Sequence, residues 1–371
     1  MSTPEQLSIL LKIGLWGGKA EPSAFSAYTD WKAIYRLAQQ QTVVGLVYDG
    51  LSTLPAELQP ESALLHQWYA YVVKIEQSHK LLNQRLAEVT NLLKLDDIRS
   101  VLLKGQGVAQ NYPNPVRRHC GDIDLYIGKR EYQRACVSTR IWNLDPGHQR
   151  DDMKHYHFQW RGVTIELHRV TMDSRKFQRW TESLLNSEKV RRWRIEGVDI
   201  LLPPTNFDAI YIFNHAYRHF ILEGVGFRQL CDWALYLHKF NDEIDRQALE
   251  RDLKAFGLMR AWQTFGYIAV DQLGLAKANM PFYTERYNKK ARRVSEYILR
   301  DGNFGHYSRT SVQPKSYLRG KLHSMMRYHR RALKLFHLFP KDTGIQYIHA
   351  TINGIMLIVK DKTSSNRNKK R

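Results

Sequence analysis

Asp122 and Asp124 stand two residues apart inside the apolar run Gly121–Ile127, and no other feature constrains the chain as much. A strand's two-residue alternation turns both carboxylates to the same face. Two unit charges about 4 Å apart repel by roughly 4 kcal/mol at an effective dielectric near 20. That face must therefore acquire a proton, an Arg or Lys, or a divalent cation. Oxygen ligands of this kind suit Mg²⁺ or Mn²⁺, and a pair of such ions can activate a hydroxyl while neutralising a triphosphate.

The residues around the pair give it a setting. Ile98–Leu103 is a run of strand length ending in Lys104-Gly105-Gln106-Gly107, and Val108–Tyr112 reads as a short helix stopped by Pro113 and Pro115. Arg130–Asn143 reads as an amphipathic helix. His155–Trp160 and Val163–His168 read as a hairpin turning at Arg161-Gly162. Its second strand carries Glu166, a third carboxylate.

Helical patterns lie on both sides. Residues 1–60 read as short helices, among them Ala24–Gln40, and Ser62 is expected to cap a long helix. In that helix Trp68, Val72, Ile75, His79, Leu82, Leu86, Val89 and Leu93 form one buried stripe, with His79 as a core or boundary histidine. From Pro203-Pro204 onward, with Thr205 as N-cap, the expected helices are Asn206–Leu222, Phe227–Phe240, Asp245–Phe256 and Met259–Leu273. Basic helices follow at Ala291–Arg300 and Leu322–Phe339, separated by a polar loop, Asp301–Ser316.

Leu103-Lys104-Gly105, Tyr112-Pro113, Arg118, Asp122-Ile123-Asp124-Leu125 and Glu166-Leu167-His168 together resemble the polymerase-β-like nucleotidyltransferase superfamily. The resemblance is closer to its uncharacterised bacterial nucleotidyltransferase family, and it extends over about residues 25–340. It implies an α+β fold in which a small mixed sheet with helices is flanked by N-terminal and C-terminal helical regions. The implied divisions are a helical lead-in (1–95), the nucleotidyltransferase core (96–200), a helical domain (201–340) and a hydrophobic segment with a basic tail (341–371). It implies that Asp122 and Asp124 hold Mg²⁺ or Mn²⁺, with Glu166 as third ligand or as the base on the acceptor hydroxyl. The wider superfamily has Gly-Ser in the turn where this chain has Lys104-Gly105. Lys104 then supplies either a point charge to phosphate or a structural counter-ion to the acids, and Arg118 invites the same two readings.

His215 and His219 lie one turn apart on a helix. Zinc ligation, contact with the nucleotide and ordinary packing all remain open for them, although Ala216 stands where a zinc-protease motif needs glutamate. Arg228 and Asp232 are four apart and suggest an ion pair.

The implied reaction moves a nucleoside monophosphate from an NTP, ATP among them, to an acceptor hydroxyl and releases pyrophosphate. The alternatives are a tRNA-modifying nucleotidyltransferase resembling toxins of that class, and a non-catalytic module that binds nucleotide or nucleic acid.

Charge bears on the partner. The chain's net charge is +20, and residues 283–371 hold 21 Lys and Arg against 5 Asp and Glu. Such a region suits RNA or tRNA, and less readily an anionic membrane surface. Three cysteines without metal or disulfide spacing fit a reducing cytosol. The apolar stretches Leu7–Trp16 and Tyr347–Val359 are shorter than the ~18–20 residues of a membrane span, and the N-terminus has no secretory pattern. A cytoplasmic protein without a transmembrane segment is expected.

Overall fold

A computed structural model of the chain describes residues 1–142, 150–151, 155–172, 174–303, 317–345, 347–348 and 351–352. The lead-in comprises α1 (Thr3–Trp16), α2 (Trp31–Gln40), α3 (Val44–Leu51) and the long α4 (Ser62–Leu95). Then come β1 (Val101–Leu103), α5 (Gly105–Ala109), β2 (Ile123–Tyr126), α6 (Gly128–Trp142), β3 (Arg150–Asp151), β4 (His155–Trp160) and β5 (Val163–His168). α7 (Arg175–Leu185), β6 (Arg191–Ile195) and β7 (Val198–Leu202) close the α/β part. The helices that follow are α8 (Thr205–Leu222), α9 (Phe227–Lys239), α10 (Arg246–Phe256), α11 (Met259–Asp271), α12 (Asn288–Asp301) and α13 (Tyr317–Phe336).

This is the expected mixed sheet between helical regions. Among the described residues it has seven strands in the order β3-β4-β5-β2-β1-β7-β6. β2 runs antiparallel to β1 and parallel to β5. Two hairpins, β4–β5 and β6–β7, flank the central strands, each closed by a two-residue turn with positive φ at both positions, Arg161-Gly162 and Glu196-Gly197. That is the type I′ geometry, whose twist matches the strands it joins. The β6–β7 hairpin is absent from the expectations above, although Glu196-Gly197 between two strand-length runs is its signal.

Several expected boundaries move. The strand expected over Gly121–Ile127 pairs only over Ile123–Tyr126, which leaves Asp122 just outside the ladder. α2 starts at Trp31 rather than Ala24, because the Asp30 carboxylate accepts from Ala33 N at 2.8 Å and caps it there. Ser62 and Thr205 are first helical residues and not caps; Glu61 and Pro204 precede them. The Thr205 hydroxyl donates instead to Glu243 Oε2 at 3.4 Å. Most of the loop expected over Asp301–Ser316, and the basic tail, lie outside the described residues.

α4 shows why the stripe on one helix matters. Its 34 residues span about 51 Å at 1.5 Å per residue. The first half of the stripe, Trp68, Val72 and Ile75, belongs to a large core shared with α1–α3 and the C-terminal helices. The second half, Leu82, Leu86, Val89 and Leu93, packs under the sheet with Ile123, Leu125, Ile165 and Leu167. His79, at 1% exposure, sits where the two cores meet. No helix among the described residues is long and apolar enough to cross a membrane. All three cysteines are buried and outside any disulfide.

Candidate active site

The sheet's alternation sorts β4 and β5 into two faces. On β4 Tyr156, Phe158 and Trp160 are buried while His155 and His157 face a cleft; on β5 Ile165 and Leu167 are buried while Thr164 and Glu166 face it. The cleft, about 840 Å³, lies between this face of the sheet and helices α8 and α9. Lys104, Asp122, Asp124, Glu166, His168, His215 and His219 all line it. The structure thus brings the sequence-derived residues together from two halves of the chain.

Asp124 is the centre. It pairs in register with Leu103 on β1 and with Glu166 on β5, and its side chain is buried, at 2% exposure. Lys104 Nζ donates to its Oδ2 at 3.1 Å, and His168 Nε2 donates to its Oδ1 at 2.7 Å. Burial alone would raise this carboxyl, but Lys104 and then His168 hold it below the ordinary carboxylate range. Burial pulls the Lys104 ammonium and the His168 imidazolium down, and in both cases the neighbouring acidic groups, Asp124 first and for His168 also Glu166, together outweigh it and raise them. Lys104 reaches the site from a backbone position with φ +54, a strained conformation for a side-chain-bearing residue. Gly105 follows at φ +49, where it needs no such compromise.

Asp122 is placed differently. The charge of Asp124, followed by burial, pushes its carboxyl up to about 6, with Lys104 offsetting part of the rise. Glu166 goes the other way. His157 Nδ1 donates to Oε1 at 2.9 Å, and His168 Nε2 lies 3.5 Å from Oε2. These two imidazoles outweigh burial and hold Glu166 well below the usual range. Ligating atoms of Asp124, Glu166 and His168 lie within 4.8 Å of one another.

From the opposite wall, α8 presents His215 and His219. Lys104 Nζ donates to His215 Nε2 at 3.1 Å, so that nitrogen carries no proton. Burial, and after it Lys104, lowers the His215 pKa well below the ordinary value. His219 Nε2 lies 3.2 Å from the same nitrogen, and its Nδ1 faces Glu223 Oε2 at 3.4 Å. Polar contacts therefore run unbroken across the cleft, Glu223–His219–His215–Lys104–Asp124–His168–Glu166–His157.

Arg118 reaches the cleft lining with its guanidinium already engaged. Its Nε and Nη2 donate to the two oxygens of Asp232 at 2.7 and 2.8 Å, and Nη1 donates to Cys120 Sγ at 2.8 Å. Tyr112 donates to the same Asp232 at 2.6 Å. Of the two readings left open for Arg118, this geometry supports charge balance. The expected Arg228–Asp232 ion pair is present as well, at 3.9 Å, with Arg228 Nε also donating to Thr42 Oγ1 at 3.3 Å.

Sequence reading passed over His155, His157 and His168 as site residues. The signal was present: histidines at alternate positions of β4 share a face with Glu166, and His168 lies two residues beyond it.

A family model described as uncharacterised nucleotidyltransferase matches residues 28–274 of the chain. Among solved structures, an antigenic nucleotidyltransferase-like protein from Paracoccidioides brasiliensis is similar at 13% identity, over 48% of this chain and 86% of that one, with a TM-score of 0.30. No curated protein matches the chain.

Proposed function

The chain belongs to the uncharacterised nucleotidyltransferase family, and from that premise we propose that it transfers a nucleoside monophosphate from an NTP to an acceptor hydroxyl. The acceptor oxygen bonds to the α-phosphorus as its proton is released to solvent, the bond from that phosphorus to the bridging oxygen breaks, and pyrophosphate leaves. The observation that carries this reading is the convergence of Asp122, Asp124 and Glu166 with Lys104 in one cleft.

The donors suit Mg²⁺ or Mn²⁺. Asp122 is a carboxylate whose pKa is raised chiefly by the negative charge of Asp124, and Asp124 and Glu166 bring oxygens within a few ångströms of each other. Asp122, Asp124 and Glu166 would hold the ion. When bound, it supplies positive charge against the triphosphate. The protein's own groups do the rest. Lys104, on a strained turn, holds an ammonium at the cleft floor as a second positive charge for the phosphates. Glu166, fixed by His157 and His168, accepts the hydrogen bond of the incoming hydroxyl and orients it. His215, with Nε2 kept free of a proton, keeps the Lys104 ammonium turned into the cleft.

A nucleic-acid acceptor is the second reading, favoured by the basic last quarter. Arg330 and Lys334 are exposed on α13, with Arg327 half-buried beside them.

The test incubates the full chain with each labelled NTP, Mg²⁺ or Mn²⁺, and either total cellular RNA or a small-molecule extract. Label on one fraction, with matching pyrophosphate release that Asp122→Asn abolishes, is the expected result. No label and no pyrophosphate with any nucleotide would leave a binding module.

A further inference from the structure

The cleft edge holds a second set of ligating groups, which shares Glu166 with the carboxylate set above and differs from it in bringing two imidazoles. His155, His157 and Glu166 each place a nitrogen or carboxylate oxygen within 4.8 Å of the other two. We infer that these three residues form a zinc site. Two imidazoles and one carboxylate are a donor set for Zn²⁺ that leaves a fourth, open position; Mg²⁺ prefers oxygen ligands alone.

The backbone builds this set without distortion. His155 and His157 are two apart on β4, and Tyr156 between them is buried, at 1% exposure, which fixes the face the histidines take. His157 pairs in register with Glu166 on β5, and His155 pairs with His168. The His155 ring packs against the His168 ring at 4.3 Å between centroids, which sets its direction. His157 Nδ1 and Glu166 Oε1 are already 2.9 Å apart. Two ligands of a tetrahedral zinc lie about 3.3 Å apart when each is 2.0–2.1 Å from the metal. The ion therefore enters between them in place of the shared proton, which is released to solvent. All three side chains are half-buried at the cleft wall, so an ion reaches them from solvent.

This site goes beyond nucleotide transfer, because its readout is binding and stands whether or not the chain is an enzyme. Full-length protein stripped of metal is titrated with Zn²⁺ against a chromophoric chelator, and with Co²⁺ while following visible absorption. One Zn²⁺ per chain is expected, with Co²⁺ giving the strong absorption of tetrahedral ligation. Affinity should fall at least about tenfold in His155→Ala and in His157→Ala, and hold in Asp122→Asn. His155→Gln and His157→Gln, which keep a polar side chain of similar size, are measured beside them, with thermal melts of the metal-free proteins. Loss of binding at an unchanged melting temperature supports the site. Unchanged affinity in all four histidine variants, no zinc retained by the wild type, or loss confined to Asp122→Asn would overturn it.

Discussion

Asp124 takes a hydrogen bond on each oxygen, from Lys104 Nζ at 3.1 Å and from His168 Nε2 at 2.7 Å, while Asp122 two residues earlier is left with its charge only partly offset. The two acids look alike in the sequence and differ in energetics. Asp124 is the anion that lets Lys104 stay charged while buried; Asp122 is the group that Asp124 repels.

Asp124→Asn should therefore destabilise the fold by about 3–5 kcal/mol, the usual result of leaving one member of a buried pair unpaired. Asp122→Asn should leave stability unchanged or raise it. Urea midpoints of the two variants in chelator-treated buffer measure the contrast, and equal losses in both would show that the acids are interchangeable.

The pH dependence of that contrast has a definite sign. The Asp122 pKa rises from 3.8 to about 6 on folding, so the folded state binds the proton more tightly and loses relative stability as pH rises through 6. The difference amounts to roughly 3 kcal/mol by pH 7. The advantage of Asp122→Asn over the wild type should grow between pH 4 and 7; a constant offset would contradict the placement of the carboxyl.

His79 and His119 act in the opposite direction. Burial lowers each to about 4 from 6.5, with the positive charge of nearby arginines adding to the effect. Their contribution is present above pH 6.5 and is lost as pH falls toward 4, up to about 3 kcal/mol each. His79→Leu, which makes the α4 stripe wholly apolar, should flatten the acid limb of the stability profile. An acid limb as steep as the wild type's would place the protonation elsewhere.

Arg118 and Asp232 should behave as one structural unit. Arg118→Met or Asp232→Leu alone should cost about 3–5 kcal/mol, and the double variant less than the sum, with a coupling of about 2–3 kcal/mol. Additive losses would mean that the pair stabilises little, and would reopen a phosphate-binding role for Arg118.

The basic C-terminal helix makes fewer free cations available than the sequence suggests. Arg331 donates to Phe220 O at the end of α8 and to Asp301 Oδ2 at 2.7 Å, so it pins α13 to the helices beneath it. If α13 binds single-stranded RNA, Arg327, Arg330 and Lys334 remain among its described side chains, and those three alone should contribute about −2 to the slope of log affinity against log salt. A slope of zero would remove RNA, and Arg331→Ala should act through stability.

The hairpin of β4 and β5 was legible residue by residue, because alternation of burial, the Arg-Gly turn and the run lengths agree. The position of Glu166 beside Asp124 followed from the same alternation together with the resemblance. What the sequence concealed was partnership. A lysine at a strand end gives no sign of its positive φ, and nothing local to Arg118 points to Asp232, 114 residues away. The histidines of β4 were visible as letters, yet their meaning depends on the register with β5, which is a tertiary property. Helix starts went astray for a local reason, as at Asp30, where one side-chain acceptor outweighed the apolar pattern before it.

α4 finally bears on how the chain could be shortened. A break near residue 95, the boundary that sequence pattern suggests, would strip Leu82, Leu86, Val89 and Leu93 from beneath the sheet. Asp124 on β2 and the histidines of β4 would then rest on an uncovered apolar face. The segment that carries the candidate site is thus no module to be excised or transplanted. Both cores hang from one helix, and a fragment beginning at the sheet should be recovered as aggregate, whereas one beginning at Ser62 retains the beam that the sheet is built on.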